Sequence, residues 1–153
     1  MGDGHGGRRL GIAALAVLAV GVAIQLVPID RSNPPVESEI PAPPEVREIL
    51  ERACYDCHSH ETVWPWYGYL APASWLLAYD VGEGREHMNF STWNRYTPKK
   101  QAKKLEEIPE EVDEGNMPPW FYLPLHPEAR LDDADRETLR RWAQASQPNP
   151  ASR

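Results

Sequence analysis

The apolar and polar positions of the chain separate one long N-terminal apolar run from a polar remainder. Residues 10–29, LGIAALAVLAVGVAIQLVPI, have Gln25 as their only polar side chain and directly follow Arg8 and Arg9. A helix that crosses a bilayer needs about 17–25 apolar residues, and flanking basic residues stay in the cytoplasm. The run therefore predicts a transmembrane helix that sends the rest of the chain outside the cytoplasm. The alternative is a signal peptide that is cleaved near the small residues of GVA, Gly21 to Ala23.

The segment that follows the apolar run differs from it in composition. Residues 30–44, DRSNPPVESEIPAPP, contain five prolines and show no apolar periodicity. Such a composition favours an extended, semi-rigid tether. We therefore predict four parts of the chain: a membrane anchor or signal segment over 1–29, a linker over 30–44, one folded domain over 45–147 and a tail over 148–153.

Four segments of the predicted domain show the apolar spacing of helices, and none alternates as a strand does. The first helix begins at Pro44, because proline suits the first helical position. Its apolar face consists of Val46, Ile49, Leu50 and Ala53. A short second helix is predicted around residues 74–80, and Gly82 and Gly84 oppose its extension. Its inward face is expected to hold Trp75, Leu76 and Tyr79.

The remaining two helices carry clear start and stop signals. Thr97 is a suitable N-cap for the third, Pro109 is expected to kink or end it, and Gly115 is a natural stop. The last helix is predicted from about Asp132 to Ser146. Its inner stripe consists of Leu131, Ala134, Thr138, Leu139, Trp142 and Ala143. The pattern as a whole predicts an all-α domain with long loops.

The net charge of the chain indicates which classes of binding partner to expect. The formal net charge is −7, from 16 Lys and Arg against 23 Asp and Glu. Nucleic-acid-binding domains carry basic patches, whereas the Lys-rich run PKKQAKK is followed at once by EEIPEEVDE. We therefore expect no nucleic-acid partner. An acidic surface favours fast, salt-sensitive encounters with basic protein surfaces.

Both cysteines of the chain lie in CYDCH, at Cys54 and Cys57, and His58 follows the second. Such a pair can form a disulfide, half of a zinc site, a thioredoxin-type redox centre or a haem attachment site. Zinc sites usually need a second, separate ligand pair, thioredoxin-type centres begin a helix in a βαβ unit, and a disulfide across so small a loop stabilises little. C-x-x-C-H is the attachment signature of c-type haem. We therefore predict one covalent haem c, with thioethers at both cysteines and His58 as an iron ligand.

The second axial position of the iron decides which chemistry the haem supports. Met117, in EGNMPPW, is the preferred candidate, because a stiff Pro-Pro segment can hold its thioether in place. His87 or His126 is the first alternative, and an open position is the second. Met88 is expected in the core, and His60 is expected in an exposed loop.

Two aromatic segments, WPWYGY and WFY, accompany the predicted ligand segments. Indole and phenol rings can line a dry, flat pocket while their polar atoms reach a propionate or water. An ordinary aromatic core is the alternative for each of them. The pocket candidates are Trp64, Trp66, Tyr67, Tyr69, Trp120 and Tyr122.

Two longer stretches carry a family resemblance: CYDCHSHETVWPWYGYLAPASWLLAYDVGEGREHMNFSTW and EGNMPPWFYLPLHPEARL. They resemble the bacterial haem-binding-domain family, which consists of small c-type cytochrome-like proteins with an N-terminal membrane segment. The likeness covers about residues 44–145. It implies a cytochrome c-like fold, covalent haem at Cys54 and Cys57, and iron ligation by His58 with Met117 as the partner.

These observations predict an electron carrier and not an enzyme. We expect a single-pass protein of the inner membrane, with a monohaem c-type cytochrome domain on the periplasmic side. This domain is expected to exchange single electrons with redox partners, among them a membrane respiratory or photosynthetic complex. One alternative is a haem enzyme or ligand sensor with an open sixth position. The other is a structural subunit of a redox complex, in which the haem mainly supports the fold.

Overall fold

The computed structural model describes residues 4–147, and their side chains from residue 7 onward. Helices and short 3₁₀ turns make up its regular structure, with one isolated bridge between Ser38 and Thr92. The predicted all-α fold is therefore confirmed for this part of the chain. The helices are Gly4–Ile24 (α1), Pro44–Ala53 (α2), Tyr55–His58 (α3), Ala73–His87 (α4), Pro98–Asp113 (α5) and Asp133–Ala145 (α6).

The described chain divides into two compact units. The first contains residues 4–32 and 64–79, and the second contains residues 33–63 and 80–147. Helix α4 contributes residues to both. The predicted tail, 148–153, lies outside the described residues.

The first unit contains the apolar N-terminal helix. Within α1, Gly7–Ile24 has a mean hydropathy of 1.8 and no buried residues, and it is long and apolar enough to cross a membrane. Gln25, just after α1, donates from Nε2 to the carbonyl of Ala71 over 3.2 Å and accepts from the Ala71 amide over 3.0 Å. Arg31 donates from Nε to the carbonyl of Gly68 over 2.8 Å. These bonds attach the segment 64–79 to the end of α1.

The second unit is held by an apolar core between α2, α5 and α6. The three helices place their apolar stripes against one another, as their sequence periodicity predicts, although Ala134 of the predicted α6 stripe is exposed. Hydrophobic side chains of the loops complete the core. Its buried members are Ile40, Val46, Ile49, Leu50, Tyr55, Met88, Phe90, Trp93, Leu105, Ile108, Val112, Leu139, Trp142 and Ala143.

Where a capping residue or a glycine predicts the start or end of a helix, the predicted boundary is correct. The Thr97 hydroxyl accepts the amide of Lys100 at the start of α5. Asp132 caps α6 in a reciprocal capping box with Asp135. Gly115 has φ +76°, the left-handed conformation that glycine adopts most easily after a helix.

Two predictions about α4 were wrong. The helix does not end near residue 80 but continues through Gly82 and Gly84 to His87. Its face is also rotated: Leu76 and Tyr79 are 57% and 62% exposed, Trp75 is half-buried, and Ser74 and Leu77 are buried. The short apolar run allowed more than one helical face, and in the observed one Leu77 packs beside Gly68.

The sequence predicts that Pro109 kinks or ends α5, and the second alternative is wrong, because the helix continues to Asp113. An internal proline costs a helix about 3 kcal/mol, because it removes one hydrogen bond and crowds the preceding turn. Leu105, Ile108 and Val112, on both sides of Pro109, are all buried in the core. Their burial offsets the cost of the proline.

The predicted linker contains no helix before Pro44, and its residues 33–44 belong to the second unit. The amides of Glu37 and Ser38 both donate to the carbonyl of Ser91, over 2.9 and 3.2 Å. Ile40 is 3% exposed, and the indole of Trp142 donates to the carbonyl of Pro41. Residues 37–41 therefore form part of the fold and do not act as a free spacer.

Candidate functional site

The cysteine segment forms a single helical turn directly after α2. The amide of Cys54 donates to the carbonyl of Leu50 over 2.8 Å, which closes the end of α2. The carbonyl of Cys54 then accepts the amides of Cys57 and His58, over 3.2 and 2.9 Å. Because one turn carries all three predicted haem-binding side chains, their relative positions are set by local backbone geometry.

His58 is held by the segment that follows α4. Its Nδ1 lies 2.9 Å from the carbonyl oxygen of Met88, and its own carbonyl accepts the amide of Phe90 over 2.7 Å. A carbonyl oxygen can only accept, so Nδ1 carries the proton and Nε2 carries the lone pair. Histidines that bind metals usually donate their other ring nitrogen in this way, which fixes the tautomer and the ring orientation.

The side chains of Cys54, Cys57 and His58 are all uncharged at neutral pH. Burial lowers the pKa of His58, so its imidazole is uncharged at neutral pH and can bind a metal. Burial raises the pKa of both Cys54 and Cys57 to about 12, so both are thiols and not thiolates. No disulfide joins them.

Gly84 of α4 packs directly on the backbone of Cys57. A Cβ atom at Gly84 would lie 2.6 Å from the carbonyl oxygen of Cys57 and 3.1 Å from its Cβ. No side chain fits at that distance, so glycine is required for α4 to approach the cysteine turn. This contact explains why a helix-weakening residue lies inside α4.

Replacing Gly84 by alanine should therefore destabilise the site. We expect Gly84→Ala to lower the free energy of unfolding by about 1–3 kcal/mol, the usual cost of overpacking, and to reduce haem incorporation. Chemical denaturation of the full chain in detergent, followed by circular dichroism, measures the first effect.

Gly82→Ala is the matched control, because Gly82 lies in the same helix and a Cβ atom added there would meet no other atom within 4 Å. Alanine there should raise the free energy of unfolding by up to about 1 kcal/mol through helix propensity alone. Equal stability of the two variants would contradict the proposed role of Gly84.

Polar contacts hold the loops that flank the cysteine turn. Arg85 donates from Nε to the carbonyl of Ser59 over 2.8 Å and from Nη2 to Thr62 Oγ1 over 3.0 Å. Asp56, between the two cysteines, accepts the amide of Val63 at one carboxylate oxygen and the hydroxyl of Tyr122 at the other, each over 2.8 Å. The Tyr122 contact brings the loop that contains the MPPW motif to the cysteine turn.

Met117 lies just after the end of α5, at the start of that loop. Its amide donates to the carbonyl of Glu111 over 3.1 Å. Its side chain is partly buried against the apolar core, and Pro118 is buried. The predicted axial ligand and the cysteine turn thus belong to the same unit and contact the same core.

The other candidate ligands have protein contacts of their own. Met88 is buried in the core, as expected. The His126 ring stacks on Tyr122 at 3.9 Å between centroids, and its Nδ1 lies 3.1 Å from a carboxylate oxygen of Glu128. His60 contacts the carbonyl of Pro35 through Nδ1 and the Asn89 side-chain amide through Nε2.

The aromatic pocket candidates are distributed over both units. Trp64, Trp66 and Tyr67 belong to the first unit. The Nε1 of Trp64 is buried and has no hydrogen-bond partner among the described residues, whereas Trp66 is 73% exposed. Trp120, in the second unit, is 80% exposed. The proposed roles of these rings around a cofactor stay predictions.

Sequence reasoning did not single out Gly84, Asp56 or the carbonyl of Met88 as parts of the site. A backbone carbonyl leaves no trace in the sequence, and Gly84 looked like a helix breaker. The one available signal was Asp56, an ionisable residue placed between two cysteines.

The zinc alternative requires four converging ligands. Among the described side chains, residues 7–147, no group of three or more His, Cys, Asp and Glu is placed to hold a metal ion. Two neutral thiols and one neutral, oriented imidazole are instead the side chains of the C-x-x-C-H haem-attachment signature.

The fold and this donor set together define a helical haem-binding domain. The model of the haem-binding-domain family matches residues 19–145, and the chain belongs to this family. The resemblance seen in the two sequence stretches is thereby confirmed. No curated protein and no solved structure gives a significant match to the chain.

Proposed function

We propose that this haem-binding domain holds one haem covalently and transfers single electrons outside the cytoplasm. Cys54 and Cys57 are the attachment residues, His58 is one iron ligand, and Met117 is the other. The observation that carries the proposal is the orientation of His58 by the carbonyl of Met88, 2.9 Å from Nδ1. It leaves Nε2 as the metal-binding atom beside the two thiols.

Covalent attachment uses both thiols in their neutral form. Each S–H would add across one vinyl group of the haem: a C–S bond would form at one vinyl carbon and the proton would end on the other, with no net redox change. The high pKa of both cysteines supports this use, because thiols with pKa values of about 12 are poor metal ligands and poor disulfide-exchange nucleophiles at neutral pH.

The bound haem supplies a one-electron couple, and the chain sets its potential. Ligation by the neutral imidazole of His58 and the thioether of Met117 would raise the potential relative to ligation by two imidazoles. The buried Tyr55 and Phe90, with rings 5.5 Å apart, and the His58–Phe90 contact at 5.8 Å keep water from this side of the ligand. We therefore propose an electron carrier and not an enzyme.

The proposed location follows from α1. We propose that α1 remains as a single-pass anchor in the inner membrane and that Arg8 and Arg9 lie on its cytoplasmic side. The haem domain then lies on the periplasmic side, where covalent attachment prevents cofactor loss. Its proposed partners are redox proteins with basic surfaces, including a membrane respiratory or photosynthetic complex.

The full chain, produced with c-type haem maturation and purified in detergent, tests this function. We expect the mass of the polypeptide plus one haem after denaturation, a low-spin ferric spectrum and a single reversible one-electron transition. A high-spin ferric form that binds carbon monoxide on reduction would favour the haem enzyme or ligand sensor. Haem that dissociates on denaturation would contradict covalent attachment.

A further inference from the structure

The segment 62–79 has a composition unlike the rest of the region after the apolar helix. It contains no Asp, Glu, Lys, Arg or His over 18 residues, between Glu61 and Asp80. Within the first unit, a 3₁₀ turn over Trp66–Tyr69 and the start of α4 leave large apolar side chains on the surface. The exposed side chains are Trp66 (73%), Tyr69 (59%), Leu70 (51%), Leu76 (57%) and Tyr79 (62%).

This exposed group is attached to the end of the apolar helix. The Gln25 side chain makes two hydrogen bonds to the backbone of Ala71, over 3.2 and 3.0 Å. Arg31 donates to the carbonyl of Gly68, and its guanidinium lies 4.7 Å from the centre of the Tyr69 ring. The exposed apolar side chains therefore lie beside residues 25–31, which directly follow α1.

We infer that residues 64–79 form an interfacial element that inserts its exposed aromatic and leucine side chains into the outer headgroup region of the same bilayer that α1 crosses. This inference rests on the proposed anchoring by α1 and goes beyond it, since it adds a second membrane contact. Haem attachment at Cys54 and Cys57 and ligation by His58 and Met117 do not depend on it, whereas Trp66 and Tyr69 in the headgroups would not line the haem pocket.

The observed side chains favour a lipid surface as the occupant. Tryptophan and tyrosine concentrate at membrane interfaces, because their rings are apolar and their N–H or O–H groups stay hydrated. Arginine at the same level can keep its charge in the headgroups while its stem lies along apolar surface. The exposed surface also continues onto Leu26 and Val27, which are 78% and 48% exposed directly after α1.

Gln25 acquires a specific role in this arrangement. It is the one polar side chain of the apolar run, and a polar side chain there is costly unless it is hydrogen-bonded. Its amide matches both backbone groups of Ala71. Gln25 therefore positions the interfacial element relative to the membrane helix.

Photo-crosslinking in vesicles tests the inference. The full chain with Trp66 replaced by p-benzoylphenylalanine is reconstituted into vesicles of phosphatidylethanolamine and phosphatidylglycerol, irradiated, and its adducts are identified by mass spectrometry. The matched control carries the same replacement at Trp120, which is 80% exposed in the second unit. We expect a phospholipid adduct at residue 66 in yield on the order of ten-fold above that at residue 120, as an interfacial position predicts.

Several outcomes would overturn the inference. Equal yields at residues 66 and 120, or a covalent dimer in place of the lipid adduct at residue 66, would mean that no lipid surface covers the element. A carbonate wash followed by flotation, run in parallel, reports anchoring by itself. Chains that float without a residue 66 adduct overturn the interfacial element alone, whereas chains that do not float overturn the anchor as well.

A second variant tests the role of Gln25. Gln25→Leu keeps the helix apolar and removes both bonds to Ala71. We expect unchanged flotation and a several-fold lower lipid adduct at residue 66. An unchanged adduct would show that Gln25 does not position the element.

Discussion

The Cys54→Ala/Cys57→Ala double variant, produced with c-type haem maturation, carries no haem that survives denaturing electrophoresis. Each thioether requires one thiol, and the chain has no other cysteine. Both single variants should keep covalent haem through the remaining thioether, at lower yield. Haem staining of the gel and the intact mass of the polypeptide measure the result.

A pair of histidine variants separates attachment from ligation. His58→Ala removes the imidazole that the Met88 carbonyl orients, and we expect loss of the low-spin spectrum even where haem remains attached. His60→Ala is the control, because His60 lies two residues later and contacts Pro35 and Asn89. Haem that survives denaturing electrophoresis in the double cysteine variant, or an unchanged spectrum in His58→Ala, would refute the proposed site.

Much of the helical fold could be predicted because its signals are local. A Thr97 hydroxyl can reach the amide of Lys100, and Asp132 can exchange hydrogen bonds with Asp135, whatever the rest of the chain does. The same is true of Gly115, whose positive φ depends only on its lack of a side chain. Such features follow from a few neighbouring residues.

The wrong predictions concern positions where distant contacts override local preference. Glycine weakens a helix, but Gly84 lies against the backbone of Cys57, far away in the sequence. Proline breaks a helix, but Pro109 lies between core side chains on α5. In both cases tertiary packing decides the outcome, and no local pattern reports it.

In the candidate site, too, local spacing could be predicted from the sequence, whereas contacts with distant residues could not. The spacing of Cys54, Cys57 and His58 lies within one turn, so the sequence pattern already predicted the donor set. The groups that orient it are remote: Met88 is 30 residues from His58, and Tyr122 is 66 residues from Asp56. Their contribution is a carbonyl and a hydroxyl, which carry no recognisable spacing.

The ligation state of the iron is tested by replacing Met117 with leucine. Leucine fills a similar volume without a sulfur atom, so the core contacts of Met117 are largely kept. We expect the near-infrared band of sulfur ligation to disappear and the ferric haem to become partly high-spin. The reduction potential should fall by roughly 100 mV or more, a modest part of the ~0.8 V range that axial ligands span.

The matched control is Met88→Leu, because Met1, Met88 and Met117 are the only methionines. Met88 lies in the core and orients His58 through its backbone carbonyl, which leucine retains. If both cysteines form thioethers to the haem, as proposed, sulfur ligation to the iron would require one of these methionines. The near-infrared band should therefore persist in Met88→Leu and vanish in Met117→Leu. The reverse pattern would assign the sixth ligand to Met88, and absence of the band from the unsubstituted protein would favour a histidine or an open position.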